Sequence, residues 1–265
     1  MTGFLVFTLA APLMAFGDVA PGERRVSATR PSHSALTGMV AAALGLTRDD
    51  PRQDRLARSL AFAIRVDAPG TPLVDYHTTQ TAPARRNRRF ATRRAALALP
   101  KEELNTILSQ RAYLTDAAFT VAAIVPDAES ELPFDLDEIA QALARPQFVL
   151  SAGRKACPLS LPPSARIVDA PDLPQALAAY DAQEDAAPAR TELRRALIGG
   201  GEGEATIALD AAYRRDGLEG TIRMQRVETR RDLPIDRARW RFGPREEHIG
   251  VLMRPVVDAA SAGVA

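Results

Sequence analysis

The chain has 265 residues, of which 46% are hydrophobic and 25% charged, and a formal net charge of +1. That composition reads as globular, with enough chain to bury one large core or two modest ones. A single cysteine, Cys157, excludes an internal disulfide and a cysteine-built zinc site, and no run approaches the roughly 18 apolar residues of a membrane span. Cys157 is expected as a small buried hydrophobe, in a cytoplasmic, reducing setting.

Phe4 to Ala10 is short, apolar and closed by Pro12, the pattern of a buried first strand; no Lys or Arg precedes it, which argues against a signal peptide. Asp18 to Pro31 turns polar around Pro21-Gly22 and carries Arg24, Arg25 and Arg30, so a long loop is expected. A helix should start at Pro31-Ser32, because Leu36, Met39, Val40, Ala43 and Leu44 recur with helical spacing before Gly45. Asp54 to Leu60 adds a shorter helical piece. Phe62, Ile64 and Val66 alternate with Ala63, Arg65 and Asp67 until Pro69-Gly70 turns the chain, which predicts a half-buried strand. Leu73 to His77 is extended.

The strongest charge feature follows. Arg85, Arg86, Arg88, Arg89, Arg93 and Arg94 place six guanidinium groups within ten residues. Between His77 and Arg111, eight basic residues face only Glu102 and Glu103, so the rest of the chain sums to about −5. Arginines this close repel one another unless a polyanion or a partner's carboxylates neutralise them, and the planar guanidinium fork suits phosphate oxygens. A solvated basic loop is the bland alternative.

Phe119, Val121, Ala123 and Val125 then restore a two-residue period. Asp135 can cap a helix whose apolar face is Leu136, Ile139, Ala140 and Leu143, with Asp137 and Glu138 in its first turn and Arg145-Pro146 at its end. Phe148-Val149-Leu150 reads as a strand. The order predicts an α+β, ferredoxin-like (RRM-like) βαββαβ domain over residues 1–155, its antiparallel sheet covered by two helices on one face, with a basic thumb inserted at about 77–115.

Residues 156–265 form a smaller, β-rich C-terminal region in this reading. Pro158, Pro162 and Pro163 exclude a long helix there, Leu173 to Tyr180 allows a short one, and Gly199 to Gly203 is a connector without the Gly-Lys-Ser/Thr end of a phosphate loop. Thr221 to Arg226, Arg239 to Phe242 and Ile249 to Met253 are candidate strands. They carry a second basic region, most of whose arginines have Asp or Glu close enough for salt bridges. The aromatic signature of ordinary RNA-recognition motifs is missing, so stacking on the sheet face is not expected.

Five stretches, in order, resemble the CasD subunit family of type I-E CRISPR Cascade complexes, within the repeat-associated RNA-binding superfamily. They are Leu9-Ala10-Ala11-Pro12-Leu13-Met14-Ala15-Phe16-Gly17, Ala43-Leu44-Gly45-Leu46-Thr47-Arg48-Asp49-Asp50, Asp75-Tyr76-His77-Thr78, Tyr113-Leu114-Thr115-Asp116-Ala117-Ala118-Phe119, and Gly153-Arg154-Lys155-Ala156-Cys157-Pro158. The C-terminal third is similar only through Arg245-Glu246 and a final strand. Where such proteins usually carry Thr-Arg before the first helix, this chain has Ser32-His33. The resemblance implies a non-catalytic subunit, active in antiviral defence, that caps one end of the backbone filament and holds the 5′ handle of the CRISPR RNA. Its thumb would separate the handle from the first guide bases, while a different subunit cuts the precursor. The implied partners are that RNA, the Cascade backbone subunits and large subunit, and target DNA near the protospacer-adjacent end; no membrane and no cofactor is implied.

On that resemblance the RNA-binding candidates are Arg24, Arg25, Arg30, His33, Tyr76, His77, Arg85, Arg86, Arg88, Arg89, Arg93, Arg94, Arg111, Gly153, Arg154 and Lys155. The thumb arginines would line the RNA backbone, Tyr76 and His77 would stack on an unpaired base, and Gly153 would let the backbone approach RNA while Arg154 and Lys155 meet phosphate. Arg24, Arg25 and Arg30 would close over the same strand. The competing class is a metal-independent endoribonuclease processing CRISPR repeat RNA, with its acid and base drawn from His33, Tyr76, His77 and Lys155 and with His248 distant in sequence. No spacing among these residues marks a site, and no carboxylate cluster or His/Cys pattern suggests a metal. A third class, a general single-strand binder, would show no preference for the handle.

Overall fold

Thr2–Met14 form a first strand, β1, that is buried on both faces: Leu5, Phe7 and Leu9 point to one side, Phe4, Val6 and Thr8 to the other. The computed structural model describes residues 2–17, 22–84, 89–126, 131–184, 188–198, 203–213, 221–237, 239 and 241–254. After β1 come the short strands β2 (Phe16–Gly17), β3 (Arg24–Arg25) and β4 (Ser27–Ala28), then helices α1 (His33–Ala43) and α2 (Arg52–Ser59). The hairpin strands β5 (Ala61–Ala68) and β6 (Thr71–Thr81) follow, then α3 (Arg93–Leu97), a 3-10 turn at Lys101–Glu103, and the long β7 (Asn105–Ile124). The rest is α4 (Leu136–Ala144), β8 (Arg166–Ala170), α5 (Leu173–Ala182), α6 (Pro188–Ile198), β9 (Gly203–Asp210), β10 (Ile222–Asp236) and β11 (Arg241–Arg254).

Among the described residues one sheet runs β10-β11-β9-β5-β7-β1-β8, every neighbouring pair antiparallel. The protein is therefore a mixed α+β fold dominated by an antiparallel sheet. On one face, Leu5, Phe7 and Leu9 pack with Leu36 and Val40 of α1, Leu56 of α2, and Ile139 and Leu143 of α4. On the other, Phe4 and Val6 meet Val168 and the α5 side chains Leu173, Leu177 and Tyr180. Each large apolar side chain buried this way contributes roughly 2 kcal/mol before entropy is counted. No helix among the described residues is long and apolar enough to cross a membrane.

Several expectations are corrected. The sheet is covered on both faces, not one, because β1, β5 and β7 alternate apolar residues of two kinds rather than apolar with polar; in β5 even Ala63 and Arg65 are buried. Phe148-Val149-Leu150 is not a strand. Its backbone instead satisfies the end of α1, through Gln147 N–H to Ala43 O (3.0 Å) and Phe148 N–H to Ala42 O (3.1 Å), and Val149 is 87% exposed. The strand beside β1 is β8, sixteen residues later. The supposed loop before α1 includes β3 and β4. The C-terminal strands are longer than their apolar runs, and β9 pairs with β5, so the sheet is continuous across residues 155 and 156. Of the expected glycine-rich connector, residues 199–202 lie outside the described residues, and Gly203 opens β9. Cys157 is buried and free, and α4 carries the capping box of Asp135 and Glu138.

A cluster of buried charge fixes the C-terminal hairpin against α1. Arg245 on β11 donates to Asp210 (2.6 Å), Asp232 (2.9 and 3.0 Å) and Glu247 (2.9 Å). Asp210 accepts in turn from Phe62 N–H (2.8 Å) and Asp232 from His33 N–H (2.9 Å), so β5 and the start of α1 share one cation. Burial alone would weaken that charge, but hydrogen bonding to Asp232 and the field of Asp210 raise the Arg245 pKa above the usual arginine range. Burial likewise opposes ionisation of Asp232, and the Arg245 hydrogen bonds overcome it, leaving its pKa lowered.

Asp232→Asn should cost about 3 kcal/mol in a urea titration, because it leaves a buried guanidinium short of its counter-charge. Arg223→Ala, which removes an exposed pair with Glu204 at 3.3 Å, should change stability by less than about 1 kcal/mol; equal effects would show that the cluster does not hold the hairpin. The pH dependence has a definite sign. The folded pKa of Asp232 lies below its unfolded value of about 3.9, so its contribution is fully present above that pH and is lost as pH falls through the folded value. Burial also lowers the His33 pKa, so His33 favours the folded state above its unfolded value of about 6.5 and progressively less below it. Stability should therefore start to fall below about pH 6.5, and His33→Phe should flatten the profile between about pH 5 and 7.

Candidate nucleic-acid interface

The expected thumb is a two-stranded ribbon. β6 and the first half of β7 pair in unbroken register from Thr71↔Thr115 to Thr81↔Asn105, which spans roughly 35 Å at the usual strand rise. Threonine-rich, β-branched sequence favours this extended form. Yet nearly all of β6 is exposed, including Val74 at 64% and Tyr76 at 58%. An isolated two-stranded ribbon is marginal in water, so its stability comes from its root.

At the root, β3 joins β7 in parallel as a third strand, and two rows of side chains cross the ribbon: Tyr76, Gln110 and Arg24 in one, Asp75, Arg111 and Arg25 in the next. Adjacent rows face opposite sides of a strand. Arg154 ties the root together. It donates to Ala112 O and Arg25 O, both at 3.1 Å, and lies 4.7 Å from the Tyr113 ring centroid. Gly153, with φ +88°, makes that placement feasible, since a Cβ there would fall 1.9 Å from Ala15 O.

The candidate residues thus divide. Arg24 and Arg25 are exposed on β3 beside Arg111, whose Nε is buried without a hydrogen-bond partner among the described residues. Tyr76 is on the same ribbon, and His77 Nε2 sits 2.5 Å from Asp75 Oδ2 in a geometry too bent for a hydrogen bond. At the tip, Arg89, Arg93 and Arg94 are exposed; Arg93 folds back to donate to Gln80 O, and Thr92 caps α3 through Ala95 N–H. Arg85, Arg86 and Arg88 lie outside the described residues. Lys155 is exposed next to the root.

Two expected contacts face inward. Arg30 is held by Glu247 and Glu228 of the C-terminal hairpin, where carboxylates already supply the anion that phosphate would have offered. His33 is 3% exposed, edge-on to Phe62 at 5.2 Å, with Nε2 3.0 Å from Leu60 O, so its ring has no path to a ligand. Gly153 and Arg154 make their close approaches to Ala15, Tyr113 and β3 rather than leaving them open. Of the residues named for ribonuclease chemistry, His33 is buried at the start of α1 and His248 in β11, whereas Tyr76 and His77 stand on the ribbon and Lys155 is exposed next to its root. In the second basic region Arg223, Arg226, Arg230, Arg239 and Arg245 pair with Asp or Glu, whereas Nε and Nη1 of Arg237 are buried without a hydrogen-bond partner among the described residues.

A family model for CRISPR-associated protein (Cas_Cas5) matches residues 4–247. The Cascade subunit CasD of the CRISPR system of Escherichia coli (strain K12) is 32% identical over 191 residues, which covers 68% of this chain and 78% of that one. A chain of a solved CRISPR RNA-guided surveillance complex superimposes with a TM-score of 0.62 at 28% identity, over 95% of this chain and 91% of its own. A crystal structure of a Cas protein superimposes with a TM-score of 0.57 at 24% identity over 95% of each chain, a likeness of fold alone.

Gly153→Ala should destabilise the chain by more than about 2 kcal/mol, through the combined positive φ and backbone clash. It should also free Arg154 from the β3 carbonyl. A thermal midpoint equal to that of the unmodified chain would mean that the loop after residue 151 yields at little cost.

Proposed function

Because the chain belongs to the CRISPR-associated Cas5 family and is a homologue of the Cascade subunit CasD, we propose that it is a non-catalytic subunit of a type I-E surveillance complex that grips the 5′ handle of the CRISPR RNA and caps the backbone filament. The observation that carries this reading is the exposed ribbon with arginines at both ends: Arg89, Arg93 and Arg94 at the tip, Arg24, Arg25 and Arg111 at the root. Exposed cations at both ends of one ribbon suit a strand of phosphates better than a single small anion. Tyr76, in the same row as Arg24, offers a stacking surface for an unpaired base. Lys155 adds a cation at the root.

The ferredoxin-like arrangement is part of the same proposal, supported by the antiparallel order β8, β1, β7, β5 and by α1 and α4 packing on one face. Leu73 and Ile107, exposed on one face of the ribbon, are proposed as part of the surface that a neighbouring backbone subunit covers. The large subunit and the target DNA near the protospacer-adjacent end complete the proposed partners, and the assembly is proposed to work in the cytoplasm. Burial of His33 and His248 leaves His77 as the one exposed or half-buried imidazole, which favours a binding role over cleavage, a reaction that needs an acid and a base within reach of one 2′-hydroxyl.

The test is competition between the chain's own handle RNA and a scrambled RNA of equal length, read by fluorescence anisotropy across a salt series. Handle RNA should bind more tightly. Replacing Arg89, Arg93 and Arg94 by alanine should weaken binding and reduce the salt slope by roughly 2, at about 0.7 per phosphate contact. Equal affinity for scrambled RNA would defeat the handle assignment. Defined cleavage of repeat RNA in chelator, lost on His77→Ala, would replace it with the ribonuclease reading.

A further inference from the structure

β3 pairs with one edge of β7, whereas among the described residues no strand pairs with the outer edge of β6. Which residues turn to that edge follows from the hydrogen bonds. In a ladder, alternate residues direct both N–H and C=O to the same neighbouring strand. Gln110 N–H donates to Glu23 O (3.1 Å), so in this half of β7 the even-numbered residues face β3 and the odd-numbered ones face β6. The register pairs odd with odd, Asp75 with Arg111 and His77 with Ser109, so the even-numbered residues of β6 present their backbone outward. The ends of the strand agree. Pro72, which has no N–H to give, is even-numbered, and the Gln80 carbonyl accepts from Arg93.

Between those ends, Val74, Tyr76 and Thr78 turn N–H and C=O groups to an edge that no described strand occupies. Native edges are usually guarded by lysines, bulges or a covering segment. This one has no bulge in its pairing with β7 and no Lys or Arg between Thr71 and Thr81. Its guards are Pro72 at one end and the Arg93 side chain at the other. The stretch between them is β-branched and aromatic, which favours further pairing.

The sequence around Tyr76 is complementary to itself. With two copies of β6 laid antiparallel and Tyr76 opposite Tyr76, Asp75 of each strand stands opposite His77 of the other, and Val74 opposite Thr78. Centring the pair on Asp75 instead would set carboxylate against carboxylate, which opposes pairing. The Tyr76 register also places Pro72 opposite Gln80, so the missing N–H falls beside the carbonyl that Arg93 already holds. We propose that two copies of this chain, outside the assembly, pair their ribbons along the β6 edges about a two-fold axis at Tyr76. Closed two-fold pairs are the commonest form of self-association. The contact is small beside the roughly 1,600 Å² of a standard interface, so the dimer is weak and gives way when the ribbon meets its partners in the complex. This inference goes beyond the handle-binding reading and does not depend on it.

The deciding measurement is sedimentation velocity of the full-length chain over a concentration series, with and without nuclease treatment. The mass should rise with concentration from that of one chain toward that of two, and nuclease should not change it. Asp75→Lys removes the carboxylate that His77 of the other copy faces, and His77→Glu sets two carboxylates face to face, so each variant alone should stay monomeric. Mixed in equal amounts they should regain the dimer, because the new cation of one chain then faces the new carboxylate of the other. Thr78→Pro removes an outward N–H and spares the ladder with β7, so it should also be monomeric. If proline disturbs the ribbon, the charge-exchanged mixture carries the test. An unmodified chain that stays monomeric up to about 1 mM overturns the proposal. So does a dimer that persists in both charge variants, a mixture that fails to restore it, or a dimer lost on nuclease treatment, which would be one bridged by RNA. None of these outcomes decides handle binding, which is read from RNA affinity.

Discussion

The structure depends on one shared cation. Arg245 sits where β9, β10 and β11 meet the start of α1, and the carboxylates around it reach across to the backbone of Phe62 and His33. An apolar contact could supply similar stabilisation, but it would not fix direction. Buried ion clusters are weak evidence for stability and better suited to fixing register. Here the fixed quantity is the position of the C-terminal hairpin against α1. Arg30 extends the cluster to the segment leading into α1, through Glu228 and Glu247.

The ribbon obeys a different constraint. β7 is continuous over twenty residues, half in the buried sheet and half in the exposed hairpin. Where the halves join, Asp116 has a φ of +54°, and Gly70 opposite has +71°, with no room for a Cβ beside Thr115 O at 2.5 Å. There β7 changes partner from β6 to β5, with a register shift between Val66 and Ala68. Anything that loads the ribbon is thus transmitted to a strand at the centre of the core, while Arg154 and β3 brace its base. The consequence is a projecting element braced at its root and, among the described residues of β6, exposed along nearly all its length.

Much of this is legible in the sequence where local physics decides. The Asp135 and Glu138 capping box, the apolar face of α1 and the Pro69-Gly70 turn are all set within a few residues. The segment at Phe148 misleads because an apolar run of three does not say whether its backbone will pair with a strand or with a helix end, and here the carbonyls of Ala42 and Ala43 are nearer. The second helix layer is hidden for a related reason. Arg65 in the middle of β5 reads as the solvent side of an amphipathic strand, yet it is 1% exposed and satisfied by Asp67, Asp181 and Thr120. Asp181 is 116 positions away, beyond what any window of the sequence can see.

The arginines carry the same lesson further. By residue type Arg30, Arg65, Arg245, Arg93 and Arg237 are alike, and a charge map of the sequence ranks only their crowding. The fold sorts them by what surrounds the guanidinium. Arg30, Arg65 and Arg245 have carboxylates on hand and are spent on architecture. Arg93 is exposed and donates only to a backbone carbonyl, that of Gln80, with water to carry the rest of its charge. Arg237 belongs to neither group: it is partly desolvated, two of its nitrogens lack acceptors among the described residues, and the field of Asp54, whose Oδ1 is likewise buried without a hydrogen-bond partner, offsets only part of that cost.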